Sequence, residues 1–388
     1  MNLQKLHLSD TANSIAAFAV SVLVGGFGWS GSPTLHFLAL LYPFIYIHSR
    51  RRLDTFGAVF YYAASTWPII PGAQSFFATG HHLGKPIAIW IAITALGSLP
   101  WILFYHRRFL PLSAVAALTV LALPPLSLVT VAHPLIATGL WFPGTRWFGL
   151  ALPLVLLAAH KRLGAPLVFV ILILASVTVH ARFVQPATDL HIVPVNTSFG
   201  SEHGASAQEA ERKLQQIALA HPNALLIFPE SVIPDWSAAH DARWAQTFAQ
   251  LNMQRTAVLI GTTIPIPNTE ASRNIMLSRG YSEHLSYVQR VSIPLGMWQL
   301  GESRRGFPLS LRFPAAIRIW NRRAGVLLCY EQMTFWPAVE TLARNPEMLI
   351  APSNLYWARN TRISAIQHLA AQDWANLWAI PLYEARNL

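Results

Sequence analysis

Hydrophobic side chains follow two different patterns along the chain. Up to about residue 185 they form seven long and nearly uncharged runs, at residues 12–29, 35–47, 56–71, 86–104, 111–132, 147–159 and 165–180. Helices built from such runs have no polar face, which is typical of helices that lie in a membrane. Several runs, most clearly the second and the sixth, are shorter than the ~20 residues that a spanning helix needs. The pattern predicts a multi-span α-helical membrane domain of about seven helices over residues 1–185.

From about residue 186 to residue 388, short apolar strands alternate with amphipathic helices. In the segment 205–220, residues Ala210, Leu214, Ile217 and Ala218 recur at spacings of three and four, which places them on one helical face. Further helices are predicted at 236–251, 335–344 and 362–377, and strands at 191–195, 224–229, 257–262, 274–279, 285–291, 316–321, 325–330 and 348–352. This alternation predicts a second domain of layered α/β or α+β architecture.

Composition agrees with this division. The chain is 53% hydrophobic and 12% charged, whereas a soluble domain carries about 25% charged residues. Of the 17 acidic residues, only Asp10 and Asp54 precede residue 185. The net charge of +11 could indicate a nucleic-acid partner, but much of the basic charge flanks apolar runs, where membrane proteins carry it. We therefore expect the lipid bilayer as a partner and no direct nucleic-acid binding.

The basic residues also predict an orientation. Cytoplasmic loops carry an excess of Lys and Arg. With the N-terminus in the cytoplasm, the loops after the second, fourth and sixth runs hold seven cations, against two on the other side, Lys85 and Arg146. Those seven are Arg50, Arg51, Arg52, Arg107, Arg108, Lys161 and Arg162. Seven spans would then put residues 186–388 outside the cytoplasm, which predicts a multi-pass protein of the bacterial inner membrane with a periplasmic second domain.

Candidate chemistry lies in three segments of the second half. Glu230 follows the apolar strand 226–229, and a carboxylate at a strand end among apolar neighbours can serve as a general base. The second segment, 287–298, runs from a strand into a Pro–Gly turn. Cys329 ends the apolar run 325–328 and is the only cysteine, so it forms no internal disulfide. Taken singly, an exposed loop glutamate and a buried inert cysteine remain the alternatives.

Together and in this order, the three segments resemble the nitrilase, or carbon–nitrogen hydrolase, superfamily. Four further segments resemble those of the family: 191–196, 259–262, 351–357 and 367–375. The resemblance covers about residues 190–388. It implies a nitrilase-like αββα sandwich and a Glu–Lys–Cys triad, with Glu230 as the base and Cys329 as the nucleophile. The sequence contains no common metal-binding or phosphate-binding motif, so no metal and no cofactor are expected.

The chain departs from the family pattern at the lysine. The corresponding position is Gln289, and no lysine follows Lys213. Gln289 could donate a hydrogen bond but carries no charge. Arg290 carries charge but in a strand points to the opposite face, unless a bulge turns it inward. The family's sandwich normally continues past the strand that resembles residues 378–384, so a C-terminally incomplete sandwich is also expected.

The combination of membrane spans with this domain resembles the membrane-anchored branch of the superfamily. It is similar to the apolipoprotein N-acyltransferases and, at least as much, to the TraB-like conjugal transfer proteins. The resemblance implies amidase or N-acyltransferase chemistry through a cysteine thioester, with a lipid, lipoprotein or pilus protein as substrate. Glu331 would support the site, and Tyr356 and Trp357 would line the substrate pocket. The alternative is a catalytically weakened scaffold bound to conjugation-machinery proteins.

Overall fold

The computed structural model describes residues 3–200, 205–282, 286–298 and 304–388. The chain forms two compact units. The first comprises Met1–Val184 together with Met333–Trp336 and Thr361–Ala379, and the second comprises Gln185–Gln332, Pro337–Asn360 and Ile380–Leu388. The second half of the sequence therefore contributes two segments to the first unit.

The first unit is helical. Its helices are α1 (Leu3–Gly28), α2 (Tyr42–Tyr46), α3 (Gly57–Thr66), α4 (Ile69–Phe76), α5 (Gly84–Leu103), α6 (Leu110–Ala122), α7 (Thr138–Trp141), α8 (Trp147–Leu163), α9 (Ala165–His180) and α13 (Ile363–Trp378). Short 3-10 helices lie at His36–Leu41, Arg52–Phe56, Arg107–Phe109, Leu126–Leu128 and Pro134–Ala137. All seven predicted apolar runs are thus helical over much of their length. The third run differs from one continuous span, because it divides into α3 and α4.

Among the described residues, one helix is both long and apolar enough to cross a membrane, namely α5, Gly84–Leu103. Shorter apolar helices lie at Asn13–Gly28, His36–Tyr46 and Ala165–His180. Within the described residues α5 alone combines the length and the apolar character of a full crossing, so the set of about seven spans stays a prediction.

Aromatic and polar contacts hold the first unit together. Tyr42 stacks on Tyr61 at 4.2 Å between ring centroids, and the Trp29 indole donates a hydrogen bond to the Tyr61 hydroxyl at 2.8 Å. Helix α13 joins this unit through an ion pair of 3.0 Å between His36 Nε2 and Asp373 Oδ2, both buried. A Cβ atom on Gly139 of α7 would clash with the backbone of Asp373, so the two helices cross at backbone contact.

The second unit contains two mixed sheets. Its strands are β1 (Ile192–Pro194), β2 (Leu225–Ile227), β3 (Ala257–Pro265), β4 (Glu270–Gly280), β5 (Tyr287–Val288), β6 (Arg305–Gly306), β7 (Ala316–Ile319), β8 (Arg322–Val326), β9 (Met348–Asn354) and β10 (Leu382–Asn387). One sheet has the order β1-β2-β3-β4-β5 with β6 beside β4, and the other has the order β10-β9-β8-β7. In each sheet three consecutive strands are parallel and the next one is antiparallel.

The two sheets enclose a shared apolar core. Side chains of β2 and β3 such as Leu225 and Leu259 form one buried cluster with Val326 of β8 and Ile350 of β9. On the outer face of the first sheet, a second cluster includes residues of α10 (Ala205–Leu219) and α11 (Ala238–Met253). Helix α12 (Phe335–Leu342) begins in the first unit. Its Thr341 lies against Gly325 of the second sheet. The unit is thus an α–β–β–α arrangement.

The strand pattern differs from the sequence prediction at three places. The predicted strand 325–330 ends at Val326, and Cys329 instead begins a 3-10 turn, Cys329–Met333. The predicted strand 285–291 pairs only over Tyr287–Val288, and residue 285 lies outside the described residues. The last strand, β10, pairs with β9 and also bridges to Thr197 beyond β1, which links the edges of the two sheets.

Candidate active site

Glu230 lies just beyond the carboxyl end of β2 and is almost completely buried, with 4% of its surface exposed. Its Oε2 accepts a hydrogen bond from the backbone N–H of Asn354 at 2.9 Å, and its Oε1 accepts one from the Asn274 amide at 2.6 Å. Gly261 of β3 allows this turn to approach, because a Cβ atom there would clash with the Pro229 carbonyl oxygen and the Glu230 Cα. Both carboxylate oxygens are therefore fixed, by donors from β4 of the same sheet and β9 of the other sheet.

Cys329 lies three residues beyond the end of β8, also buried, with a left-handed φ of 51°. Few non-glycine residues adopt this conformation, and strain of about 1 kcal/mol is typical of it. At this residue the chain leaves the extended course of the strand and enters the 3-10 turn Cys329–Met333. The thiol hydrogen-bonds with the Glu230 carboxylate and lies near the backbone N–H groups of Tyr330 and Asn354. The structure thus brings together the two residues that the sequence proposed as base and nucleophile.

Burial dominates the electrostatics of this pair. It raises the pKa of the Cys329 thiol well above its ordinary value, and the adjacent Glu230 charge raises that pKa further. Burial likewise raises the pKa of Glu230, against the lowering effect of hydrogen bonds from Cys329, Asn354 and Asn274. No cation is among the groups that shift either pKa in the described part of the chain. Burial and the adjacent Glu230 charge thus both favour the protonated form of the Cys329 thiol.

Asn274, on β4, connects the base to the position of the family lysine. Its amide nitrogen donates both to Glu230 Oε1 and, at 2.9 Å, to Gln289 Oε1. Its own carbonyl oxygen accepts a hydrogen bond from Ser231 at 3.2 Å. Sequence analysis did not select Asn274. Asn274 lies at the start of the predicted strand 274–279, and a buried amide in a strand requires hydrogen-bond partners on other strands. This position was the local sign that Asn274 belongs to a polar network.

The side-chain oxygen and nitrogen of Gln289 both form hydrogen bonds. Its Oε1 accepts from Asn274 and, at 3.0 Å, from the Ser292 hydroxyl, while its Nε2 donates to the Leu328 carbonyl oxygen at 3.0 Å. The side chain therefore reaches the residue before Cys329 and bonds to its backbone. A neutral amide network occupies the space between the base and the cysteine turn.

Arg290 points away from the thiol. Its guanidinium is fully buried and binds the Tyr287 hydroxyl, the Glu340 carboxylate at 2.8 Å, the Thr341 hydroxyl at 2.7 Å and a backbone carbonyl of α12. Gln289 bonds instead to Asn274, Ser292 and the Leu328 carbonyl oxygen, so the two adjacent side chains have separate sets of partners. The structure does not bring the Arg290 charge to Cys329.

Glu331 connects the Arg290 segment to the cysteine turn. Its Oε1 accepts from the backbone N–H groups of Arg290 and Val291, at 2.7 and 3.2 Å. Its Oε2 accepts from the Tyr287 hydroxyl at 2.6 Å and from the Leu328 N–H at 2.9 Å. With four donors and complete burial, Glu331 fixes the backbone around Cys329, and its support of a reaction there stays a prediction.

A cavity of about 380 Å³ lies beside this network. Its lining includes Ser231 and Asn354, the two neighbours of Glu230, together with Tyr356, Phe199 and Arg243. Tyr356 is 37% exposed. Trp357, the other predicted pocket residue, is not part of the lining and donates its indole N–H to the Asn354 carbonyl oxygen at 3.0 Å. Of the two predicted pocket residues, Tyr356 therefore lines the cavity, whereas Trp357 is hydrogen-bonded to the Asn354 backbone.

The chain is similar over nearly its whole length to two conjugal transfer proteins. It is 25% identical to the probable conjugal transfer protein TraB of Sinorhizobium fredii, over 97% of this chain and 97% of the relative. It is 27% identical to the conjugal transfer protein TraB of Agrobacterium fabrum, over 95% of this chain and 91% of the relative. This similarity confirms the expected resemblance to the TraB-like proteins. No family model matches the chain.

Among solved structures, the chain is similar to a Nesterenkonia amidase, with 17% identity and a TM-score of 0.31 over 43% of this chain and 65% of the amidase. It is also similar to the glutamine-dependent NAD+ synthetase of Acinetobacter baumannii. That match has 15% identity and a TM-score of 0.31, and it covers 42% of this chain and 32% of the synthetase.

Proposed function

We propose that this protein is a membrane-anchored, nitrilase-like cysteine enzyme that acts in plasmid conjugal transfer, with Cys329 as nucleophile and Glu230 as general base. The observation that carries the enzymatic part is the buried hydrogen bond between the Cys329 thiol and the Glu230 carboxylate. The part in conjugal transfer is supported by the two relatives named above.

The proposed chemistry starts from a protonated Cys329 thiol beside the Glu230 carboxylate. Glu230 takes the thiol proton while Cys329 sulfur attacks a carbonyl carbon, so a thiolate never has to exist free in the buried site. The protonated Glu230 then gives this proton to the leaving amine or alcohol, and the carbonyl carbon remains bound to sulfur as a thioester. Water or an amine next attacks the thioester while Glu230 takes its proton, and Glu230 returns this proton to the sulfur as the C–S bond breaks, which regenerates the thiol. The products are an acid or an amide.

Stabilisation of the tetrahedral oxyanion would come from neutral donors. The backbone N–H group of Tyr330 lies near the sulfur, and such a donor is worth about 2.7–4 kcal/mol in other acyl-transfer enzymes. The Asn354 N–H, which is also near the sulfur, already donates to Glu230 Oε2. Gln289 already donates to the Leu328 carbonyl oxygen, so it holds the turn rather than the oxyanion. The cavity beside Ser231 and Asn354, whose lining includes neither Cys329 nor Glu230, is the proposed space for the part of an acyl donor that lies away from the thiol.

Membrane anchoring is supported by the surface of the first unit. Helix α5 is long enough to span, and α9 has only two buried residues, Val168 and Leu172. Many large apolar side chains on these helices and on α1 are exposed, among them Ile91, Leu174 and Val177 at 52% or more. A protein surface of this kind requires an apolar surrounding. We propose several passes, with the second unit in the periplasm.

Acylation of the thiol tests the enzymatic proposal. Purified full-length protein is incubated with a chromogenic p-nitrophenyl ester, and Cys329→Ala provides the background rate. A burst of one p-nitrophenol per chain that disappears in Cys329→Ala, and a thioester detected at Cys329 by mass spectrometry, are expected. If the wild-type burst equals that of Cys329→Ala, the thiol does not act as a nucleophile and the enzymatic proposal fails.

A catalytically weakened scaffold is the second candidate. It is favoured by Gln289, which occupies the lysine position with a neutral amide whose groups are all hydrogen-bonded. A conjugation assay with Cys329→Ala separates the two: the enzyme predicts loss of plasmid transfer, whereas the scaffold predicts unchanged transfer frequency.

Membrane anchoring has a separate test. When membranes are extracted with alkaline carbonate, the protein should remain in the membrane pellet. A reporter that works only in the periplasm should be active when it is fused after Leu388. Release into the supernatant would contradict anchoring, and activity of a cytoplasm-specific reporter would contradict the orientation.

A further inference from the structure

Three segments that are far apart in the sequence meet on the surface of the first unit: the loop around residues 48–52, the 3-10 helix Arg107–Phe109 and the C-terminal turn of α8. We refer to all three as loops. The ring of His48 packs on that of His160 with centroids 5.3 Å apart. The Lys161 ammonium donates a hydrogen bond to the Arg108 carbonyl oxygen and lies 5.9 Å from the Phe109 ring. These contacts bring the loops around residues 48–52, 107–109 and 160–162 to one place.

The meeting point is strongly basic. We call the exposed cations of the three loops the basic collar: Arg50, Arg52, Arg107, Arg108, Lys161 and Arg162. The one acidic residue nearby in these loops is Asp54. Its Oδ2 accepts the backbone N–H groups of Arg50 and Arg51, and its Oδ1 accepts the Ser14 hydroxyl. Asp54 therefore organises the loop at residues 50–54. The six exposed cations give the collar a net positive charge.

Large apolar side chains are exposed among these cations. Leu53 is 56% exposed, Phe56 44% and Phe109 47%. Basic and apolar side chains side by side are typical of a protein surface at the boundary between lipid headgroups and acyl chains. Duplex DNA would be bound by the cations through its phosphates alone, and the exposed Leu and Phe side chains would have no apolar partner in it. This mixture favours lipid over nucleic acid.

We propose that the basic collar binds the phosphate headgroups of anionic phospholipids at the membrane surface. The inference rests on the membrane anchoring proposed above and is independent of the chemistry at Cys329. The collar cations contact the phosphates, while Leu53, Phe56 and Phe109 enter the adjoining acyl region. Anionic lipid would thereby fix the depth and orientation of the first unit.

Equilibrium binding of labelled lipid tests the collar. Full-length protein in nonionic detergent is titrated with fluorescent phosphatidylglycerol and with phosphatidylcholine that carries the same label. The wild type should prefer phosphatidylglycerol, and the preference should fall with added salt. Arg107→Gln with Arg162→Gln should weaken phosphatidylglycerol binding on the order of tenfold or more, because each cation near an anionic surface contributes about fivefold. The matched control, Lys85→Gln with Arg182→Gln, removes two exposed cations elsewhere and should bind as the wild type does.

Other outcomes would overturn the inference. Equal binding of the two lipids, or an equal loss in the control variant, means that the collar has no headgroup site. Competition by inorganic phosphate at the same concentration as the lipid would indicate a free-phosphate site, and tighter binding of duplex DNA than of lipid would indicate a nucleic-acid surface. If the collar variant fails to fold, Arg107→Lys with Arg162→Lys and the salt dependence of the wild type decide: loss of binding in the former, or a salt-independent preference, contradicts the proposal.

Discussion

Glu230→Gln should separate a general base from a buried carboxylate that merely packs beside a cysteine. The substitution keeps the shape of the side chain and removes its charge. That charge raises the pKa of Cys329, so the variant thiol should ionise more easily than the wild-type thiol. An inert cysteine would therefore become more reactive in the variant. A nucleophile that depends on Glu230 to take its proton would become less reactive.

The expected magnitude follows from the role assigned to Glu230. A positioned general base contributes about 10²–10⁴-fold to rate, which is ~2.7–5.5 kcal/mol of activation free energy. Stability should fall as well. Both oxygens of Glu230 accept hydrogen bonds, from Asn354 and Asn274, and a glutamine amide can accept only one of them. The donor left opposite the new NH₂ group costs about 1–3 kcal/mol.

The assay is acylation by the p-nitrophenyl ester, at a temperature at which the variant is folded. The unfolding midpoint of each protein is measured in parallel. Glu270→Gln is the matched control, because it removes one carboxylate from an exposed ion pair with Arg305. We expect the control to acylate at the wild-type rate and Glu230→Gln to acylate at least 100-fold more slowly. A rate for Glu230→Gln equal to or above that of the wild type would refute the reasoning.

Three further predictions concern the surrounding network. Gln289→Lys should put an ammonium beside the thiol and lower the pKa of Cys329 by about 1–3 units; an unchanged pH midpoint for iodoacetamide alkylation would argue against a position 289 facing the sulfur. Arg290→Met should destabilise the fold by ~3–5 kcal/mol in denaturant titration, since it leaves the buried Glu331 without its cationic partner; a loss below ~1 kcal/mol would contradict that. Burial raises the pKa of Glu230, so the folded state binds the Glu230 proton more tightly than the unfolded state does. The stability of the wild type relative to Glu230→Gln should therefore decrease as the pH rises above about 4.3, the pKa of an unfolded glutamate. A stability difference that does not change with pH would exclude this linkage.

Local sequence pattern accounts for much of the site. A carboxylate that follows a buried strand and a cysteine that follows another made Glu230 and Cys329 candidates, and the resemblance of the three segments to the nitrilase superfamily selected them as base and nucleophile. Strand alternation was enough to expect that Gln289 and Arg290 point to opposite faces, and the structure sends the Arg290 guanidinium to α12. The pattern failed in detail at Cys329, because an apolar run does not show where a strand ends and a left-handed residue begins a turn.

The sequence by itself determined the division into an apolar and a mixed half, since that division depends on composition and short-range periodicity. The candidate base and nucleophile, and the missing lysine, followed from the resemblance to the nitrilase superfamily. Only the tertiary structure decided the rest. Asn274 joins Glu230 to Gln289 through hydrogen bonds over 44 and 15 residues of sequence, and α13 joins the first unit through the pair His36–Asp373. Such contacts depend on strand register and helix crossings between distant segments, which periodicity along one segment does not encode.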